Sequence, residues 1–280
     1  MHYQTIPSLG APMLVAVVIP CHHRVDLLAQ AVDAVSGWPT WIVDDSVDGS
    51  VPALGHARRV RTAGEVGFAR AVNAGLEAAQ AGGATHVFLL NDDAVPAPGC
   101  LQALIAAWGP EVGAAGPLLY GPEGLESAGF DEAWWGRVRQ RRTLGAAADP
   151  RARALRAGEV QAVSALSGAA LLVAASRRLD PGYRHGFEDL ALCRDIRREG
   201  LEVRLVPGAR VLHLGGGTVR RTSRAAQAHA VAGHLRYVGG GWRSGVVVGL
   251  ALAQVAREGG AVARVAGVVD GIRAWRADRR

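Results

Sequence analysis

The chain has 280 residues, 49% of them hydrophobic, which suits one large α/β domain with an appendage and argues against a disordered chain. Its formal charge is +6 and all 31 basic residues are arginine, so a phosphate-loop lysine, Schiff-base chemistry and a lysine general base are excluded. Cys21, Cys100 and Cys193 are far apart, without zinc or disulfide spacing, and read as reduced cytosolic thiols.

The opening "MHYQTIPSLGAPMLVAVVIPCHH" has no basic region before its apolar stretch and no small-residue cleavage site after it, so it reads as a first strand rather than a signal peptide. Within it "MLVAVVIP" (13–20) is β-branched and apolar throughout, as expected of a parallel strand covered on both faces. "RVDLLAQAVDAV" follows with apolar residues at helical spacing and is stopped by "SGWP". "TWIVDDS" is a second strand, "GFARAVNAGLEAAQAGG" a helix ended by glycines, and "THVFLLNDD" a third strand. This alternation predicts a parallel sheet with crossover helices.

"PAPGCLQALIAAWG" predicts another helix and "VGAAGPLLY" another strand, after which residues 121–158 form a Gly- and Arg-rich excursion. Strand-like content returns in "VQAVSALSGAALLVAA" (160–175). "FEDLALCRDIRREG" (187–200) predicts a helix, and "LEVRLVPGARVLHLGGG" two short strands. From Thr218 the composition shifts to Ala, Val, Gly and Arg with helical periodicity, which places a boundary between a domain over 1–217 and a helical extension over 218–280. In that extension "SGVVVGLALAQVA" (244–256) falls short of the roughly 20 apolar residues a membrane span requires. The longer segment "VVVGLALAQVAREGGAVARVAGVVDGIRAWRADRR" (246–280), with Arg257, Arg264, Arg273 and Arg276 interrupting its Val and Ala faces, reads as an interfacial helix, as packing on the domain, or as a dimer contact.

Acidic residues stand at three places: Asp44 and Asp45 after the second strand, Asp92 and Asp93 after the third, and Glu188 and Asp189 at a helix start. Ligands of an open parallel sheet bind at the carboxyl ends of its strands, so the first two pairs border one crevice. Adjacent carboxylates repel, a cost recovered when a divalent cation sits between them and an anionic ligand. The competing reading is that such Asp residues cap a helix or form a turn, as Asp48 and Ser50 do in "VDDSVDGS". Asp45 is placed to accept a hydrogen bond from the imide N–H of a uracil or thymine ring, and Glu188 and Asp189 suit a helix N-terminus through its dipole.

The ordered set "VVIPCHHR", "WIVDDSVDGS", "GFARAVNAGL", "VFLLNDDAVPAPG", "SGAALLV" and "GFEDLALCRDIRREGLEVRLVPGARVLHLGGG" resembles the inverting glycosyltransferases of family 2, over about residues 13–217. The resemblance implies a GT-A fold, a mostly parallel sheet flanked by helices, with the helical extension following it. It implies that Pro20 and His22 lie at the nucleotide base, that Asp45 binds the pyrimidine, and that Gly67 and Asn73 lie near the donor. It implies further that Asp92 faces the ribose and that Asp93 ligates Mn2+ or Mg2+ on the diphosphate, with His213 close to the metal. Asn91 stands where some members carry an acid. Asp189 matches the catalytic base, and the neighbouring Glu188 raises its pKa.

The implied activity is transfer of a sugar from a UDP- or dTDP-sugar to an acceptor hydroxyl of a glycan or a lipid-linked acceptor. The ending "VLHLGGGT" is similar to rhamnosyltransferases, which implies a deoxyhexose and cell-envelope synthesis at the cytoplasmic membrane face. "WWGRVRQRRTLGAAADPRARALR" (134–156) gathers seven arginines with two tryptophans, and is read as a solvated basic loop or as a contact with a lipid diphosphate, an anionic membrane or a nucleic acid backbone. Two other classes stay open: a sugar-1-phosphate nucleotidyltransferase, which lacks its catalytic lysine here, and a noncatalytic sugar-nucleotide-binding module.

Overall fold

Strands that are apolar on both faces need cover on both sides, and the fold supplies it. The structure is a computed structural model that describes residues 12–22, 25–142, 155, 158–183, 185–214, 224–257 and 262–278. The domain boundary expected at 217/218, and Arg151, Arg153 and Arg156 of the basic segment, lie outside the described residues.

Strand β1 (Val15–Cys21) pairs in parallel with β2 (Thr40–Asp44) on one side and β4 (His86–Leu90) on the other. Helix α1 (Val25–Ala34) crosses from β1 to β2, and α2 (Phe68–Ala81) leads into β4. Along β1 the side chains alternate: Ala16 and Val18 join the core layer that holds Val72 and Leu76 of α2, whereas Val15, Val17 and Ile19 join the layer that holds Leu28 and Val32 of α1. Period-2 alternation between two apolar layers is why these strands read as unbroken hydrophobic runs.

The sheet continues as β3 (Arg58–Arg61) beyond β2, and beyond β4 through β11 (Ala170–Ala174), β6 (Val112–Gly121), β12 (Glu202–His213) and β10 (Gln161–Ala162). Strand β11 runs antiparallel to both β4 and β6, so the sheet is parallel in its first half and mixed in its second. Helix α3 (Cys100–Ala106) packs on the α1 side and α4 (Glu188–Arg198) on the α2 side.

Three departures from the sequence reading have local causes. The predicted pair of strands over 201–217 is one strand, β12, which carries Pro207 and Gly208 through a register shift between Val206 and Arg210 instead of ending there. The described part of the excursion after 121 contains β7 (Gly124–Ser127), which pairs with β6, and a separate hairpin of β8 (Phe130–Glu132) with β9 (Val138–Gln140). A three-residue strand, β5 (Ala94–Pro96), pairs with the end of β12.

The described residues of the C-terminal segment form three helices, α5 (Arg224–Val238), α6 (Trp242–Arg257) and α7 (Val262–Ala277). Val231, Leu235, Tyr237, Val247 and Val268 of these helices belong to the same apolar layer as α2 and α4. Among the described residues no helix is long and apolar enough to cross a membrane.

Helix α2 lies close on the sheet because Gly75 lacks a side chain: a Cβ there would stand 2.3 Å from Val18 Cγ1 and 2.7 Å from Val43 Cγ2. Gly75→Ala should lower stability by about 1–2 kcal/mol even though alanine favours a helix by about 1 kcal/mol, because the overpacking outweighs the propensity gain. Urea denaturation checks this, and an unchanged or raised midpoint would refute the close-approach argument.

Candidate active site

The carboxyl ends of β1, β2 and β4 open into a cavity of about 500 Å³. Its lining includes Pro20, His22, Asp45, Gly67, Asp92, Asp93, Glu188, Asp189 and His213, so nine of the ten residues singled out in the sequence meet in one space. Asn73, expected near the donor, is the exception. Its side-chain N–H donates to the Leu179 carbonyl at 2.8 Å and its Oδ1 accepts from the Leu179 N–H at 2.8 Å, so its amide ties α2 to the segment after β11 and does not line the cavity.

Asp45 is buried at 7% exposure, and its charge is met by the loop ahead of α2. Oδ1 accepts from Thr62 Oγ1 at 2.5 Å and from the Val66 N–H at 3.0 Å, while Oδ2 has only the Gly67 N–H at 3.3 Å. Oδ2 is therefore the oxygen with capacity for a further donor. Gly67 adopts φ 91°, which turns its N–H toward Asp45 at the start of α2. His22 Nδ1 donates to the Asp45 carbonyl at 3.0 Å, and its Nε2 stands 3.6 Å from Glu65 Oε1. Asp44, by contrast, is a turn residue, accepting from the N–H and Oγ of Ser46.

The pairing of β5 with β12 sets His213 opposite Ala94 and so beside Asp93. His213 Nε2 lies 3.3 Å from Asp93 Oδ1, and Nδ1 lies 2.8 Å from Glu126 Oε2 of β7. Burial opposes a charge on this imidazole, yet the two carboxylates outweigh it and raise its pKa to about 9. Asp93 Oδ1 is buried without a well-formed hydrogen bond, as is Asn91 Oδ1. Two orphaned oxygens and an imidazole beside them fit a divalent cation, with Asp93 and His213 Nε2 as protein ligands and Glu126 orienting the ring. Among the described residues, no group of three or more His, Cys, Asp and Glu has the arrangement of a complete metal site.

Glu188 and Asp189 open helix α4, where acids complement the dipole, with Arg197 and Arg198 at its other end. Asp189 Oδ2 accepts from the Gly168 N–H and Oδ1 from the Leu190 N–H, each at 2.8 Å. Burial raises the Asp189 pKa, against the pull of these N–H groups. Glu188 is 6% exposed, its Oε2 has no partner, and burial together with the Asp189 charge raises its pKa to about 8. Glu65, Glu126, Gln140, His185 and His229 also line the cavity and were missed in the sequence, where none carried ligand spacing.

With this geometry in view, the fold is similar to two solved glycosyltransferases. One is GalNAc-T7 with UDP, GalNAc and Mn2+, at a TM-score of 0.64 and 18% identity over 87% of this chain. The chain spans about half of that structure, 51%. The other is the mannosyltransferase PcManGT from Pyrobaculum calidifontis in complex with GDP-Man and Mn2+, at a TM-score of 0.57 and 15% identity, covering 100% of this chain and 92% of that one. This is the GT-A glycosyltransferase fold. Residues 16–143 match the family model described as glycosyl transferase family 2. A comparison with curated protein sequences gives no match. The matched segment contains Asp45, Asp92, Asp93 and Glu126 and stops before Glu188, Asp189 and His213.

The raised pKa of Glu188 has a consequence for stability. The folded state holds this proton more tightly than the unfolded chain, so stability is full below about pH 4.5 and is lost as pH rises through about 8. Glu188→Gln removes the dependence: its urea midpoint should match that of the unsubstituted protein at pH 5 and exceed it at pH 8.5. Equal midpoints at both pH values would show that Glu188 ionises as readily in the folded protein as in the unfolded chain.

Proposed function

We propose that the protein is an inverting glycosyltransferase that moves a sugar from a UDP- or dTDP-sugar to an acceptor hydroxyl of a glycoconjugate, with Asp189 as base and a divalent cation held by Asp93 and His213. The observation that carries this reading is the single cavity in which Asp45, Asp92, Asp93, His213 and Asp189 converge.

Asp45 Oδ2 receives the imide N–H of the pyrimidine, and Pro20 and His22 border the base. Asp92 faces the ribose. When bound, the Mn2+ or Mg2+ neutralises charge on the diphosphate leaving group. Asp93 and His213 hold that end of the donor, and Glu126 fixes the ring tautomer that leaves Nε2 free to ligate. The acceptor oxygen attacks the anomeric carbon opposite the diphosphate, whose bond to that carbon breaks with the electron pair leaving on oxygen. Asp189 takes the acceptor proton as attack proceeds, and a base raised above the usual carboxylate range suits that step.

Calorimetry with UDP-, dTDP- and GDP-sugars, with and without Mn2+, tests the donor assignment. Binding should require a pyrimidine base and should strengthen with Mn2+; binding confined to GDP-sugars would overturn the role of Asp45. In the same assay Asp93→Ala should weaken Mn2+-supported donor binding about 10- to 100-fold. Asp189→Ala should cut transfer on the order of 10²- to 10⁴-fold with donor affinity nearly unchanged, and unaltered transfer would remove Asp189 as the base. Donor binding without transfer to any hydroxyl acceptor would instead identify a noncatalytic nucleotide-sugar module.

A further inference from the structure

Phe187, immediately before the two acids of α4, has φ 74°. It is one of two non-glycine residues among those described with positive φ, the other being Glu65. A bulky side chain in this region is strained, and such strain persists only where the surroundings enforce it. Gly186, at φ 89°, would take up the same turn without cost, and Phe187 caps α4 without any side-chain hydrogen bond. Its side chain must therefore be held by contacts elsewhere.

Those contacts come from α5. The Phe187 ring stacks on His234, with centroids 4.7 Å apart and planes at 21°, and meets Tyr237 at 5.6 Å. Both partners are themselves fixed. His234 Nε2 donates to the Gly136 carbonyl at 3.0 Å, and burial lowers the pKa of the ring. The Tyr237 ring lies under the Arg194 guanidinium at 3.7 Å, and the Arg194 side chain donates to the Tyr237 carbonyl. The helix can come this close because residue 233 is glycine: a Cβ there would stand 2.7 Å from the Gly186 carbonyl oxygen and 3.3 Å from Phe187 Cδ2. The double left-handed turn at 186–187 directs Glu188 and Asp189 into the cavity, where the Gly168 and Leu190 N–H groups receive the Asp189 carboxylate.

We infer that Phe187 and His234 form a positioning pair, in which the stack contributed by α5 holds the strained turn and thereby the Asp189 carboxylate in its reactive place. The kinetic consequence rests on the transferase reading above; the structural consequence does not.

The test uses the full chain and two readouts: hydrogen exchange of the Gly168 and Leu190 amides against those of β1, and transfer kinetics. His234→Ala should speed exchange at Gly168 and Leu190 about tenfold while β1 amides are unaffected. It should lower kcat about 10- to 100-fold with donor KM within about twofold, the effect of displacing a reactive group by roughly 1 Å. His234→Phe, which keeps a ring in the stack, should restore both values. Phe187→Gly removes the stack together with the strain, so it folds even where His234→Ala does not, and it should reproduce the loss in kcat and protection. Gly233→Ala should do the same by pushing α5 off the turn. Unchanged exchange in His234→Ala and Phe187→Gly would overturn the inference, as would a fall in donor affinity equal to the fall in kcat. Altered exchange in an enzyme that transfers no sugar would count against the transferase reading and leave the positioning pair standing.

Discussion

Negative charge held out of water is the constraint around which the site is built. The cavity is lined by seven carboxylates, those of Asp45, Glu65, Asp92, Asp93, Glu126, Glu188 and Asp189, and by no arginine among the described residues, although the chain as a whole is +6. Each buried carboxylate is handled differently. Asp45 is met by the Thr62 hydroxyl and two N–H groups, Asp93 and Glu126 share one imidazole, Asp189 accepts two N–H groups, and Glu188 gives up its charge by a raised pKa. Neutralising a carboxylate or solvating it with fixed N–H groups is the usual alternative to pairing when burial forbids free ionisation. In the cavity Asp93 Oδ1, Asn91 Oδ1 and Glu188 Oε2 are buried without a well-formed hydrogen bond, the first two lying two residues apart just after β4.

Topology decides which charges meet. Parallel pairing of β2, β1 and β4 puts Pro20, Asp45 and Asp93 at one sheet edge. Nothing in that half of the sheet would bring His213 there. The step is made by β12, long enough at 12 residues to run alongside β6 and still pair through its last residues with β5. A β12 that ended at Pro207 would leave Asp93 without its imidazole.

The legible part of the fold was the part with a periodicity. Strands β1, β2 and β4 are apolar on both faces and helices α2 and α4 carry clear apolar stripes, so runs and spacing located them. Strand β3 reads "RRVR" and was missed because an exposed edge strand needs no apolar pattern. The Pro207–Gly208 pair reads as a break and is absorbed by a bulge instead. At the site, doubled acids at strand ends were visible in the sequence, and the resemblance supplied the link between Asp93 and His213 across 120 residues. Glu126 lay in an apparently irregular segment, and His185 and His229 stood alone, so pattern could not find them. The resemblance put Asn73 near the donor, but its amide bonds a loop backbone and ties α2 to it instead. The positive φ of Phe187 left no trace at all, since tertiary contacts impose it against the residue's own preference.

The site also divides along the chain. The family 2 match over 16–143 contains Asp45, Asp92 and Asp93, whereas Glu188 and Asp189 come later and stand on a helix that contacts the hairpin and α5. Arg197 of α4 pairs with Glu132 of the β8–β9 hairpin, and Arg194 pairs with Tyr237 of α5. The hairpin is in turn joined to α5 through Gly136 and His234. Helix α4 is thus braced from two directions by segments that take no part in the parallel sheet. Strands β1, β2 and β4 place Asp45, Asp92 and Asp93, whereas the helix that carries Asp189 makes contacts reaching to residue 237. In this chain the helices after the sheet help to brace the helix that carries Glu188 and Asp189.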